Sequence, residues 1–149
     1  RANTAYFGTF GYELDLNKLT EEEIAEVKEQ VSFMKEYREI FQYGTFYRLQ
    51  SPFENNVMAW MSVSADRKTA IVGWYRTLNR VNYRFERVKL AGLLPDVLYE
   101  NRRSGVRCYG DELMNYGLIT TDGTAGEPIA ENGLTVDFES RIYVLKAVE

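Results

Sequence analysis

From Ile24 onward, apolar side chains return at Val27, Val31, Met34, Tyr37 and Phe41. Spacings of three and four place them on one stripe of an amphipathic helix. The start of that helix is marked chemically. Thr20 and Glu23 fit a capping box, in which the threonine oxygen accepts from the Glu23 amide and the glutamate reaches back. Leu19 and Ile24 stand where a hydrophobic staple would close over the cap, and Glu21, Glu22 and Glu23 put negative charge at the positive end of the helix dipole. Gly44 is the predicted stop. The helix then spans roughly twenty residues, or 30 Å at 1.5 Å per residue.

Beyond Gly44 the period changes from helical to alternating. Thr45–Gln50 reads as a strand ending at Ser51-Pro52-Phe53. Val57–Ser64 and Thr69–Leu78 read as a hairpin across Ala65-Asp66-Arg67-Lys68. Further strands are predicted at Arg84–Leu90, Val97–Arg102, Val106–Tyr109 and Arg141–Val148, with Gly92 and Pro95-Asp96 as punctuation. Closely spaced strands with no helix between them imply antiparallel pairing and a β-sandwich. Thr120–Asn132, rich in threonine and glycine, reads as an exposed loop.

Ahead of the helix, Thr4–Phe10 reads as a strand. A strand feeding one long helix is half of a β/α unit, and parallel pairing needs neighbours that this half lacks. The expected organisation is therefore two parts. Residues 1–43 are the last strand and helix of a β/α barrel whose other strands lie upstream, and residues 44–149 are an antiparallel β-sandwich. The chain opens on Arg1 and on already apolar sequence, which fits a piece of a longer polypeptide.

Composition narrows the chemistry. The chain has 149 residues, 45% hydrophobic and 27% charged, the balance of an ordinary globular domain. No run approaches the ~20 apolar residues of a membrane span, so no membrane partner is expected and a cytoplasmic location is. The net charge of −4 argues against nucleic acid, and Arg102, Arg103 and Arg107 read as a solvated basic loop. With no histidine and Cys108 as the only cysteine, histidine-assisted nucleophiles, an intrachain disulfide and cysteine-based zinc sites are excluded. No metal or cofactor is expected. Carboxylate chemistry, or none, is left.

Four stretches, in order and spacing, resemble the C-terminal part of α-galactosidases of glycoside hydrolase family 36. They are Phe7-Gly8-Thr9-Phe10-Gly11-Tyr12-Glu13-Leu14-Asp15-Leu16; Tyr37-Arg38-Glu39-Ile40 with Gly44 through Phe53; Val72-Gly73-Trp74-Tyr75-Arg76; and Gly110-Asp111-Glu112-Leu113-Met114-Asn115 with Gly117-Leu118. Thr120–Asn132 has no counterpart, and Asn79–Tyr83 fits poorly. The resemblance implies a catalytic barrel ending near Thr4–Phe10 and Thr20–Phe41, closed by the antiparallel domain. Such enzymes remove terminal α-linked galactose with retention, using two aspartates on earlier barrel strands. Neither aspartate motif is present here, so the chain alone is expected to be inactive.

Retention needs two carboxyl groups about 5–5.5 Å apart. Glu13 with Asp15, and Asp111 with Glu112, are the pairs to weigh, against readings as solvated carboxylates and as caps of a turn or helix start. No catalytic residue is assigned. Phe10, Gly11 and Tyr12, at the carboxyl end of the expected last strand, are placed at the rim of the parent's pocket, or Gly11 simply permits a tight exit turn. Trp60 and Trp74 sit mid-strand, as core or interface residues, or as platforms for a sugar in an independent carbohydrate-binding module. A protein-interaction domain is the third reading. The helix stripe must be buried against something: the upstream barrel in the parent, or a second copy in a homo-oligomer.

Overall fold

The computed structural model describes residues 1–78, 86–120 and 137–148. The fold is mainly β, built on antiparallel sheet with one long helix near the start of the chain. In order the elements are α1 (Ala2–Ala5), α2 (Glu21–Tyr43), β1 (Thr45–Gln50), β2 (Val57–Val63), β3 (Thr69–Arg76), β4 (Arg87–Val88), β5 (Leu98–Asn101), β6 (Arg107–Tyr109), α3 (Gly110–Asn115), β7 (Leu118–Ile119) and β8 (Glu139–Ala147). Six strands form one sheet in the order β1-β2-β3-β8-β5-β6, and β4 pairs with β7 in a second, two-stranded sheet. Of the loop expected to be exposed at Thr120–Asn132 only Thr120 is described, and it is buried; the remainder, and part of the strand expected at Arg84–Leu90, lie outside the described residues.

Both faces of the large sheet are covered. On one, Val57, Ala59, Met61 and Val63 of β2 join Val72 and Trp74 of β3 and Tyr143 and Leu145 of β8. They pack against Val88, Leu90, Leu113 and Leu118 from the small sheet, α3 and the adjoining loop. On the other, Ile71 and Val144 meet Tyr37 of α2, with Phe7, Phe33, Ile40 and Phe41 around them. This double burial explains why β3 is buried from Ala70 to Arg76 and reads as a nearly continuous apolar run.

Helix α2 starts as its sequence dictates. Thr20 Oγ1 accepts from the Glu23 amide at 3.2 Å, and Glu23 Oε2 accepts from the Thr20 amide at 2.8 Å. Its end is set differently from the expectation. Gly44 is extended (φ −69°, ψ 163°) rather than left-handed. Glycine is required there because a Cβ would lie 2.7 Å from both Ser62 Oγ and the Val63 carbonyl oxygen. Ser62 Oγ in turn donates to the Ile40 carbonyl at 2.6 Å, tying the last turn of the helix to β2.

The strand expected at Thr4–Phe10 is not formed. Ala2–Ala5 is a helical turn, continued by Phe7 N–H donating to Thr4 O and Gly8 N–H to Ala5 O. Thr9–Leu14 is neither helix nor strand. The reason is an absence of strand neighbours: a lone extended run gains no ladder hydrogen bonds, whereas its aromatic side chains gain burial elsewhere. Tyr6 packs on Phe33 at 4.9 Å and Phe41 at 5.7 Å between ring centroids. Phe7 lies over Gly73, where its ring stands 2.9 Å from the position a Cβ would take. Tyr75 Oη donates to Asn3 O at 2.5 Å, and Asn3 Nδ2 donates to Ser140 Oγ at 3.1 Å, fixing α1 on β3 and β8.

The β2–β3 turn is built by its own polar residues. Asp66 Oδ1 accepts from Ser64 Oγ at 2.6 Å and from the Lys68 amide at 2.9 Å. Those two bonds hold the Asp66 carboxyl below the usual carboxylate range. The Tyr99 hydroxyl, deep in the core, donates to Arg67 O at 2.7 Å and accepts from the Leu94 amide at 3.0 Å, joining this turn to the loop before β5.

Overpacking a tight core contact typically costs about 1–3 kcal/mol. Gly44→Ala is therefore expected to destabilise the chain by about 2 kcal/mol in urea unfolding. Gly11→Ala, with nothing within 4 Å of the added carbon, is expected to change stability by under roughly 0.5 kcal/mol. Equal effects would contradict the packing account of the helix end.

Candidate functional site

Phe10 and Tyr12, with Gly11 between them, leave α1 along α2 rather than joining a sheet. Phe10 stacks on Tyr6 at 5.1 Å and meets Tyr12 edge-on at 5.5 Å. Tyr12 Oη donates to Gln30 Oε1, and Gln30 Nε2 donates to Glu26 Oε1 at 2.8 Å. Burial, then the neighbouring Tyr12, Glu29 and Glu26, pushes the Tyr6 hydroxyl up to about 12. Burial and Glu26 raise Tyr12 as well.

Of the carboxylates weighed for chemistry, Asp15, Asp111 and Glu112 are engaged in local structure. Asp15 Oδ1 accepts from the Asn17 amide at 3.1 Å, capping the short 3-10 turn Leu16–Lys18, and Glu13 is exposed on an irregular stretch. At the start of α3, Glu112 Oε2 accepts from the Tyr109 amide at 2.7 Å and Asp111 Oδ1 accepts from the Glu112 amide at 2.8 Å. Each carboxylate that closes a helix start is aimed at its own backbone. Among the described residues no cluster of three metal-ligating side chains occurs. Cys108 is half-buried, and burial followed by Glu112 pushes its thiol up, away from reactivity.

The basic loop is neutralised by acids. Arg107 Nε donates to Glu100 Oε2 at 2.6 Å. Arg102 lies 3.5 Å from Glu36, which also meets Lys146 at 3.3 Å. A hydrogen bond from Tyr37, then Lys146 and Arg102, holds the Glu36 carboxyl low.

Trp74 is fully buried, so no sugar can stack on it. The guanidinium carbons of Arg76 and Arg141 each lie 5.2 Å from its ring centroid. Glu139 joins these two arginines, accepting from Arg141 Nε at 2.6 Å and pairing with Arg76 Nη2. Arg141 Nη1 also donates to Thr120 O at 3.1 Å. Sequence reasoning missed this cluster. The signal was Arg76, two residues after Trp74 on a strand and therefore on its face; a buried strand position holding arginine requires a carboxylate.

Trp60 points to the opposite face, toward α1. With Arg48, Gln50, Phe53, Glu54 and Met58 it lines a groove of about 400 Å³ at the open end of β1 and β2. Phe53 is 96% exposed. A smaller cavity of about 150 Å³, mostly apolar, lies between α3 and the β5–β6 edge, next to Cys108, Tyr116 and Leu118.

These features define a β-domain with a docked helix, in which Asp15, Asp111 and Glu112 hydrogen-bond to nearby backbone amides. The chain belongs to glycosyl hydrolase family 36, whose C-terminal domain model matches residues 57–145, while the melibiase model matches residues 1–44. Alpha-galactosidase AgaA of Geobacillus stearothermophilus is 44% identical over 149 residues, covering all of this chain and 19% of the relative. Alpha-galactosidase Mel36A of Lactobacillus acidophilus is 37% identical over 148 residues, 99% of this chain and 19% of the relative. The crystal structure of the α-galactosidase from Lactobacillus brevis superposes with a TM-score of 0.87 at 39% identity, covering 99% of this chain and 20% of that one. An AgaA variant solved in complex with raffinose gives 0.85 at 42% identity, over 99% of this chain and 19% of that one. The chain thus spans about a fifth of the length of the relatives it matches.

Raised tyrosines make alkaline pH the probe of the helix–α1 contact. A folded-state value near 12 against about 10 unfolded means that the unfolded chain releases the Tyr6 proton first. Stability is then full below pH 10 and falls between pH 10 and 12. Tyr6→Phe is expected to flatten part of this fall, with Tyr75, also raised by burial, supplying much of the remainder. Urea midpoints measured from pH 8 to 12 check it; an unchanged slope in Tyr6→Phe would remove Tyr6 as a contributor.

Proposed function

We propose that this chain is the C-terminal supporting part of a retaining α-galactosidase. The catalytic barrel precedes it in the same polypeptide, and the galactoside is bound and cleaved there. Residues 1–43 complete the barrel and residues 44–149 form the β-domain that closes it. The observation that carries this reading is the division between the two family models. One ends at residue 44 and the other begins at residue 57, on either side of β1, which follows the end of α2.

The physical state of the front of the chain supports the same reading. Thr9–Leu14 is extended-capable sequence in no ladder, and the first half of α2 buries none of its residues: only Met34 and Tyr37, both further along, are buried. An amphipathic helix gains most of its stability from packing its stripe, and a barrel supplies both a strand neighbour and a surface for Ile24, Val27 and Val31. In that setting Phe10, Gly11 and Tyr12 lie at the pocket rim and shape a wall without doing chemistry. Assembly of the parent into a homo-oligomer and a cytoplasmic location belong to the same reading.

The chain alone is expected to show no turnover of an aryl α-galactoside, while the longer polypeptide containing it is active. In that polypeptide Phe10→Ala is expected to raise KM by roughly three- to tenfold with kcat nearly unchanged, the signature of lost uniform binding. Turnover by the isolated chain that disappears in Asp111→Asn or Asp15→Asn would overturn the reading.

A further inference from the structure

Near β6 the core face of the large sheet is not completely filled. Tyr99 and Asn101 alternate inward along β5. Cys108 of β6 lies opposite Tyr99, and Leu145 of β8 lies opposite Asn101. Cross-strand partners share a face, so these side chains form one floor. Helix α3 and the turn at Gly117 supply the facing wall through Leu113 and Leu118. Between floor and wall lies the cavity of about 150 Å³.

Its lining is mainly apolar, and the polar groups in it are unequally satisfied. The Tyr99 hydroxyl donates to Arg67 O at 2.7 Å and accepts from the Leu94 amide at 3.0 Å, so Tyr99 offers the cavity only its ring. Asn101 differs. It is 3% exposed and lines the cavity. Its Oδ1 accepts from the Arg103 amide at 3.0 Å, which fixes the orientation of the side-chain amide, since an N–H can be met only by the oxygen. Asn101 Nδ2 is left with no acceptor among the described residues. It is not one of the sealed, unpaired atoms of the fold, so it keeps accessible surface, and at this burial that surface faces the cavity. Buried donors are seldom left unmatched.

Volume and chemistry together select an occupant. An apolar cavity of about 150 Å³ accommodates one benzene-sized ring. A hexose is larger and carries hydroxyls on every side, which apolar walls cannot satisfy. Asn101 adds one donor, which calls for one acceptor on the ligand. Glu112, also in the lining, disfavours a ligand carboxylate beside it.

We propose that the cavity between α3 and the β5–β6 edge binds a small uncharged aromatic molecule bearing one oxygen acceptor. The ring packs against Tyr99, Leu113, Leu118 and Leu145, and the oxygen accepts a hydrogen bond from Asn101 Nδ2. Every group invoked belongs to this chain, so the site stands or falls independently of the supporting role proposed above.

Acetophenone and α-methylstyrene are the probes, alike in ring, shape and heavy-atom count but with C=O in one where the other has C=CH2. In NMR titrations of the 149-residue chain, acetophenone is expected to bind roughly fivefold more tightly, the worth of about one hydrogen bond. It alone should move the Asn101 side-chain amide proton downfield. Cys108 is the only cysteine, so its labelling by methyl methanethiosulfonate reports on the same cavity. Acetophenone at about ten times its Kd should slow that labelling roughly tenfold. Asn101→Asp keeps the acceptor for the Arg103 amide and removes the donor, and should erase the difference between the probes; if this variant does not fold, the two probes on the unaltered chain decide alone. Equal affinities for the two probes, or a difference that survives Asn101→Asp, would overturn the proposal. So would binding that leaves Cys108 labelling unchanged, benzoate binding as tightly as acetophenone, or no binding of either probe up to its solubility, which would leave the cavity to water.

Discussion

The seating of aromatic rings on the bare backbone of Gly73 holds the two halves of this chain together. A side chain at that position would collide with both Phe7 and the Tyr75 ring and hydroxyl. With none there, Phe7 drops onto the sheet, Phe41 packs edge-on against it at 5.0 Å, and α2 comes to rest over Ile71 and Val144. Tyr75, tilted against Trp60 at 4.6 Å, reaches across to hold Asn3. Helix, leading segment and sheet therefore share one contact region rather than meeting pairwise. This makes residues 1–43 and the β-domain a connected body even though two different family models divide the chain between them.

The opposite face solves a harder electrostatic problem. Two arginines and one glutamate lie among apolar side chains, with Arg76 2% and Arg141 7% exposed. Removing one member of such a group leaves an uncompensated buried charge, typically worth about 3–5 kcal/mol of destabilisation. Trp74 offers both guanidinium groups a ring, and cation–π contact is strongest where water is excluded. Because Glu139 begins β8 and Arg76 ends β3, the pair also favours one register between strands distant in sequence. A one-residue slip would turn Arg76, Trp74 and Arg141 to the helix face.

How much of this was readable depended on whether the cause was local. Helix α2 was legible to within a residue because Thr20, Glu23 and a stripe of period 3.6 are local signals, and β1, β2 and β3 were legible because alternation and the Ala65–Lys68 turn are local too. The sheet order was not. Strand β8 is inserted between β3 and β5, a pairing across some seventy residues of sequence that no short pattern encodes. Thr4–Phe10 was misread because apolar content alone does not make a strand without a neighbour to pair with. Gly44 was read correctly as the stop, but for a reason that is tertiary, the approach of β2, rather than the left-handed cap a sequence suggests. At the candidate site, Glu112 was legible as a cap, whereas Asp15, read as a solvated carboxylate, caps the turn Leu16–Lys18. The Arg76–Glu139–Arg141 cluster was not legible, since its members become neighbours only when β3 and β8 pair.

Burial along α2 is uneven. A helix of 23 residues is about 35 Å long at 1.5 Å per residue. Its second half rests on the sheet through Phe33, Tyr37, Ile40 and Phe41, while Ile24, Val27 and Val31 are only half-covered. A capping box and three glutamates in the first turn secure the end that packing leaves free. Strong local start signals are needed where tertiary contacts are thin, because fraying begins at ends with few contacts. Rigidity built into α2 by its cap is thus carried from the sheet into a region where this chain supplies few contacts of its own. A loop there would transmit nothing. A capped helix anchored at one end on a doubly buried sheet holds the half-covered stripe of its first half in a fixed orientation.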